Sequence, residues 1–399
     1  MKEKIKITVF DDEERIRTSF KGTLDKCLPK DQYETKILID FIGEIELLSH
    51  RQKDFRKNGT WDTTKRCMID ETSILIIDYD LFDASPFMKA ESLAYLVRCF
   101  SSCGIIVILN RFGHNPYDLT LKDHIGSFAD LHIGQDQLDN PYLWGVKLPD
   151  NRSDVPKRFY PWYWPELPSF YESLQKRIDD VATSMENKTT IEAMLGFTQG
   201  TFNGLSRSMA QFIGDDASKA TIDDFIRSES VLEYKDRPRG DLNPINVSRA
   251  VATRISKWLE YFLLPEQDIL VDAPHLVSRF PGLLDGNPKK ILSWNHTAQR
   301  KSYDEIGVKT DIIEPFRYKK THWLSRPAWF WHDVMEYDKI DDVREPWKIS
   351  YPKWVFCEDA SAFSIDHKEF VANTYSAFSR RYIKQFDRVD YEPRTRILM

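Results

Sequence analysis

The sequence predicts an α/β chain, with a five-stranded parallel sheet in its first 145 residues and a mostly helical part after it. Three observations carry this reading. Strand-like and helix-like segments alternate through the first 145 residues, as βαβ units do. One strand candidate, Gly104-Ile105-Ile106-Val107-Ile108-Leu109, is continuously apolar, as suits a parallel strand covered on both faces. Acidic clusters follow two of the strand candidates directly, at Asp11-Asp12-Glu13 and at Asp78-Tyr79-Asp80.

The elements follow in order. Ile5 to Phe10 reads as the first strand, and Glu14 to Leu28 as a helix stopped near Pro29. Lys36 to Phe41 reads as the second strand, Glu44 to Arg56 as a helix, and Lys57-Asn58-Gly59-Thr60 as a loop. Ile74 to Ile77 is the third strand, Met88 to Ser101 a helix, and Gly104 to Leu109 the fourth strand. A short helix over Leu119 to Phe128 and a weak fifth strand over Ala129 to Ile133 complete the pattern.

A connector is expected over residues 146–167, because Pro156 to Pro165 is dense in proline and aromatic residues. The part from 168 to 399 is expected to be mostly helical. Phe170 to Met185 has helical spacing, and Asn243-Pro244 opens a helix with proline at its first position. Ile245, Val251, Ile255, Trp258, Leu259 and Phe262 then share one face, which reads as core. Phe370 to Phe386 reads as a further long helix carrying Arg380, Arg381 and Lys384.

Composition narrows the function classes. A net charge of -6 and a pI near 5.9 argue against broad nucleic-acid binding. The N-terminus has no signal-peptide pattern, and no uncharged apolar run reaches the roughly 18 residues of a membrane helix. The 5 cysteines include no C-x-x-C pair, as expected of a reducing cytoplasm. Cys99 and Cys103 read as buried thiols rather than as half a zinc site.

The acidic clusters carry the chemistry. The carboxyl ends of strands in an open parallel sheet share one crevice, and ligands bind there. Asp11, Asp12, Asp78 and a backbone carbonyl near Asp80 offer the oxygen donors that magnesium prefers. Plain helix capping is the alternative role for these acids.

This order of features resembles the receiver domain of two-component response regulators. There an acid pair follows the first strand, a phospho-accepting Asp ends the third, a Thr or Ser ends the fourth and a Lys ends the fifth. The resemblance implies a flavodoxin-like fold, a magnesium ion, and a phosphoryl group passed from a histidine kinase. Asp11 and Asp12 match the acid pair, and Asp78 matches the acceptor, with Asp80 as the competing candidate. Asn110 stands in place of the Thr or Ser, with an amide able to donate to a phosphoryl oxygen. The fifth strand offers His132-Ile133-Gly134 and no lysine. The stretch between Asp12 and Asp78 is longer than the family's usual spacing, which an insertion near residues 52–72 accounts for.

The later residues supply no comparable motif. Asp311 to Glu314 with Lys319-Lys320 reads as solvated surface. His322, Trp323, Trp329, Trp331 and His332 read as packed core with hydrogen-bonded histidines. No P-loop, G-x-S-x-G or strong helix-turn-helix pattern occurs. A receiver joined to a helical part without a toxic-domain signature looks like the phosphate-buffer protein of Detocs-type bacterial two-component antiphage defence. That likeness implies a cytoplasmic phosphate sink in antiviral defence, partnered by a histidine kinase and by a receiver-bearing effector of the same system, with no nucleic-acid or membrane partner. A receiver-gated effector with a hydrolase- or nuclease-like C-terminal domain, and a pseudo-receiver scaffold, are the alternatives.

Overall fold

The computed structural model describes residues 4–81, 88–110, 124–134, 138, 140–146, 165–214, 216–227, 244–280, 283 and 310–337, with short strands at 355–357, 362–364, 370–372 and 382–384. The chain divides into two compact units, residues 1–150 with 166–258, and residues 151–165 with 259–399.

The first unit is built on a five-stranded, all-parallel sheet. Its strands are β1 (Ile5–Phe10), β2 (Tyr33–Ile37), β3 (Ile74–Asp78), β4 (Ile105–Asn110) and β5 (Leu131–Gly134), in the order β2-β1-β3-β4-β5. Every residue of β3 and β4 is buried, so both faces of the sheet centre are covered. Helices α1 (Glu14–Cys27), α2 (Phe41–Asn58) and α3 (Ala90–Phe100) interleave with the strands. The first connection runs from β1 to one side and the next crosses to the other, so the strand order reverses between β1 and β3.

Two elements differ from expectation near the sheet. The second strand lies at Tyr33–Ile37, starting three residues before the expected stretch Lys36 to Phe41 and overlapping it at Lys36 and Ile37. Phe41 instead begins α2, because the Asp40 side chain accepts the Gly43 N–H at 3.0 Å and caps the helix. The helix expected over Leu119 to Phe128 lies outside the described residues up to 123, and its remainder is a turn. There His124 Nδ1 accepts the Gly126 N–H and the Ser127 N–H bonds to the His124 carbonyl, so the local bonding closes a turn.

The boundary expected at 145 does not close the first unit. Helices α4 (Leu167–Asn187), α5 (Ile191–Met194), α6 (Arg207–Ile213), α7 (Ile222–Phe225) and α8 (Pro244–Trp258) belong to it as well. Helix α8 packs against α3 and α4, and α4 against β4. Val251, Ile255 and Trp258 of the expected α8 stripe are fully buried, and Trp258 Nε1 donates to the Met209 carbonyl. Buried polar contacts lock the arrangement. Asp130 accepts from Arg98, from the Ile106 N–H at 2.7 Å and from the Thr253 hydroxyl at 3.2 Å, joining α3, β4 and α8 around the start of β5.

The segment between α2 and β3, which lengthens the spacing of the acidic motifs, is held by Arg51 and Asp70. Arg51 Nη1 and Nη2 meet the two Asp70 oxygens at 3.0 and 2.6 Å, and Arg51 also donates to the Phe100 carbonyl. Trp61 packs edge-on against both Phe55 and Phe100.

The second unit mixes short helices with short strands. β6 (Leu270–Asp272) pairs antiparallel with β7 (Ala328–Phe330), and a four-stranded sheet holds β8 (Val355–Cys357), β9 (Ala362–Ser364), β10 (Phe370–Ala372) and β11 (Tyr382–Lys384). The long helix expected over Phe370 to Phe386 is therefore corrected. Its described ends are β10 and β11, an antiparallel pair. Phe370-Val371-Ala372 and Tyr382-Ile383 are β-formers that pair across the intervening residues instead of sharing a helix face. Trp329 and Trp331 enter one buried cluster with Val277, Phe280 and Phe356, and Trp323 is fully buried. His332 departs from expectation, standing exposed and paired with Glu336 at 3.1 Å. Among the described residues no helix is long and apolar enough to cross a membrane.

Candidate functional site

The site is set by where β1 and β3 end. Phe10 closes β1 in register with Ile77, so Asp11 emerges beside Asp78, the last residue of β3. Asp11 and Asp78 are buried and Asp12 is half-buried. One carboxylate oxygen from each of the three lies within 4.8 Å of the others. The cluster straddles the point where the strand order reverses, at the carboxyl end of the sheet. General rules for open α/β sheets put ligands at that place.

Two of the three carboxylates are oriented by their own turns. Asp11 Oδ1 accepts the Glu13 N–H at 2.9 Å, and Asp78 Oδ2 accepts the Asp80 N–H at 3.3 Å. Arg17 Nη1 donates to the Asp11 carbonyl at 3.3 Å. Plain helix capping does not account for the acids. The N-cap of α1 is Glu13 and that of α3 is Lys89, and neither makes a side-chain capping bond.

The remaining candidates fall around this cluster. Asn110 ends β4, is buried, and pairs in register with Gly134. The Tyr79 N–H donates to the Leu109 carbonyl at 2.9 Å, so the chain leaving Asp78 runs alongside Asn110. Asp80 is exposed and lies outside the three-carboxylate cluster, although its N–H reaches Asp78.

His132, on the strand where the resemblance implies a lysine, is buried and engaged. Its Nε2 meets Glu91 Oε1 at 2.6 Å, and the Ser127 hydroxyl donates to Glu91 Oε2 at 2.8 Å. Burial works against the Glu91 carboxylate, but the His132 and Ser127 hydrogen bonds and the charges of His132 and Lys257 outweigh it, holding its carboxyl below the ordinary range. This pair ties the first turn of α3 to β5. Sequence reading missed Glu91, whose only signal is an acid in the first turn of a helix.

The N-terminal corner of α2 borders the same edge. The Leu38 N–H donates to the Val9 carbonyl, and the rings of Phe10 and Phe41 stack with centroids 3.7 Å apart. Ile39 and Ile42 at this corner are 78% and 64% exposed.

Cys99 and Cys103 are buried thiols, and Cys103 is pushed up to about 12 chiefly by burial. Asp311, Glu314 and Lys319 are exposed, as solvated surface would be.

The donor set is three carboxylates with no nitrogen or sulfur, which suits a hard divalent cation such as magnesium. No protein-family model, curated protein or solved structure matches this chain.

Proposed function

We propose that the first unit is a receiver-like, flavodoxin-like phosphoacceptor of a two-component-type relay, and that Asp78 is its acceptor. The observation that carries this reading is the convergence of Asp11, Asp12 and Asp78 at the carboxyl ends of β1 and β3, at the reversal of a β2-β1-β3-β4-β5 parallel sheet.

In this reading an Asp78 carboxylate oxygen attacks the phosphorus of a phosphohistidine on a partner kinase. The O–P bond forms as the N–P bond breaks. The histidine nitrogen leaves with the bonding electron pair, and Asp78 carries an acyl phosphate. Asp11, Asp12 and Asp78 would hold magnesium, whose charge offsets that of the phosphoryl oxygens. The Asn110 amide donates a hydrogen bond to one of those oxygens. The turn bonds to Asp11 and Asp78 fix the carboxylates before the donor arrives.

The β5 position supports a sink over a switch. His132 is committed to Glu91, and no lysine follows it on the strand, so no cation of β5 is offered to the phosphoryl group. A phosphate buffer in a cytoplasmic antiviral relay, paired with a kinase and a receiver-bearing effector, fits such a site.

The test is labelling with phosphoramidate and magnesium, read as an 80 Da adduct (about the mass of HPO3) by intact-mass spectrometry. Wild type and Asp80→Asn are expected to label and Asp78→Asn is not. Unlabelled wild type, or adduct persisting in Asp78→Asn, overturns the assignment.

A further inference from the structure

The α2 corner holds an unusual pair. Ile39 and Ile42 are the large hydrophobic residues that stand most exposed among those described, and they are three positions apart. Isolated exposed apolar residues need no explanation, but two together beside a candidate site do.

Local structure gives neither residue a role. Ile39 precedes the Asp40 N-cap, where an apolar side chain ordinarily packs against the fourth residue of the helix. That fourth residue is Glu44, whose carboxylate instead accepts the N–H groups of Met68 and Ile69 at 2.8 and 3.1 Å. Ile42 points away from the buried side of α2, which is formed by Phe41, Leu48, Arg51 and Phe55.

The corner is continuous with the carboxylate site. Leu38 bonds to Val9, and Phe41 stacks on Phe10, the residue before Asp11. The exposed or half-exposed acids Asp12, Glu13, Glu14 and Asp40 lie on this edge. Arg15 and Arg17 share this stretch, and the four acids still leave it net negative, so the patch is apolar with an acidic rim. Two isoleucines supply far less than the roughly 800 Å² per partner of a stable interface, so the occupant is a transient one.

We propose that Ile39 and Ile42 are the docking patch for the protein that delivers the phosphoryl group. The occupant presents an apolar strip flanked by basic residues. It seats on the isoleucines, and its cations meet the acidic rim and supply positive charge beside the transferred group. This rests on the phosphoacceptor reading of Asp78 and adds the surface by which the donor is recognised.

The experiment compares two donors on the full-length chain. Phosphoramidate needs no docking surface. The protein donors are purified, autophosphorylated histidine kinases of the same organism, assayed as a set. Ile39→Glu and Ile42→Glu are expected to label with phosphoramidate within twofold of wild type, while transfer from the effective kinase falls at least tenfold. Ile39→Ala is expected to give a smaller loss. Added salt is expected to slow the kinase reaction and leave phosphoramidate labelling unchanged, since rim charges act on encounter. Equal kinase rates in wild type and both Glu variants overturn the docking patch. Wild type that labels with phosphoramidate but takes nothing from any kinase also overturns it, leaving the acceptor reading intact. Wild type that phosphoramidate fails to label overturns the acceptor reading and the patch with it.

Discussion

Arg51 of α2 and Asp70 form a two-pronged ion pair whose side chains are only 5% and 6% exposed. Asp70 also accepts the N–H groups of Cys67 and Ser102, so this one carboxylate gathers the loop before β3 and the turn before β4. Burial opposes its charge, but the Arg51 hydrogen bonds and those from Cys67 and Ser102 outweigh it and hold the Asp70 carboxyl below its ordinary range. The long segment between the two acidic motifs is thus pinned at its base, and β3 can present Asp78 in register with β1.

Breaking that pair is expected to be costly. Asp70→Ala leaves the Arg51 guanidinium buried without its carboxylate, a loss of about 3–5 kcal/mol. Chemical denaturation checks it, and a loss under 1 kcal/mol contradicts the role given to the pair.

Acid stability carries a second expectation. The Asp70 and Glu91 carboxyls both lie below their ordinary values in the folded protein. Each therefore contributes stability that is complete above the unfolded carboxylate pKa and is lost as pH falls through the lower, folded value. Glu91→Gln is expected to lower the melting temperature at pH 7 and to flatten its decline between pH 5 and roughly pH 3. Thermal melts across that range test the sign. A variant whose curve stays parallel to wild type contradicts it.

The proposed role of the carboxylate cluster carries an expectation for magnesium. Asp12→Asn and Asp11→Asn are each expected to weaken magnesium binding by about tenfold or more, while Asp80→Asn changes it little. Isothermal titration calorimetry reads the difference. Equal affinities in all three variants would remove the cluster as the ion's seat.

Gly104 marks a close approach at the start of β4. A Cβ there would run into the Ser73 carbonyl oxygen and the Tyr171 ring, while the Gly104 N–H donates to the Thr72 carbonyl. Gly104→Ala is expected to cost about 1–3 kcal/mol through crowding of β3, β4 and α4. Denaturant midpoints at unchanged slope would report it.

Much of the sheet was legible because β3 and β4 are apolar runs buried on both faces, and β1 ends in an all-buried stretch from Ile7 to Phe10. The acid motifs were legible for a related reason, since each follows such a run immediately. β2 was misplaced because Leu38 and Phe41 pack beyond the strand's end, Leu38 as a buried residue and Phe41 at the start of α2 stacked on Phe10. The strands at 370–372 and 382–384 were read as helix because Tyr375, Ala377 and Phe378 between them continue the apolar residues at a spacing that suits a helix. Glu91 and its His132 partner are 41 positions apart, and no local pattern announces such a pair.

The Thr253 hydroxyl on Asp130 has a practical meaning for dividing this chain. Arg98, Asp130 and Thr253 lie buried together, and Arg249 of the same helix reaches the Ser101 carbonyl. A fragment stopped at residue 145 would open this layer to water and strip the covering helix from α3. The smallest piece able to stand alone must run on to Trp258, so the parallel sheet and the helices that follow it form one inseparable block.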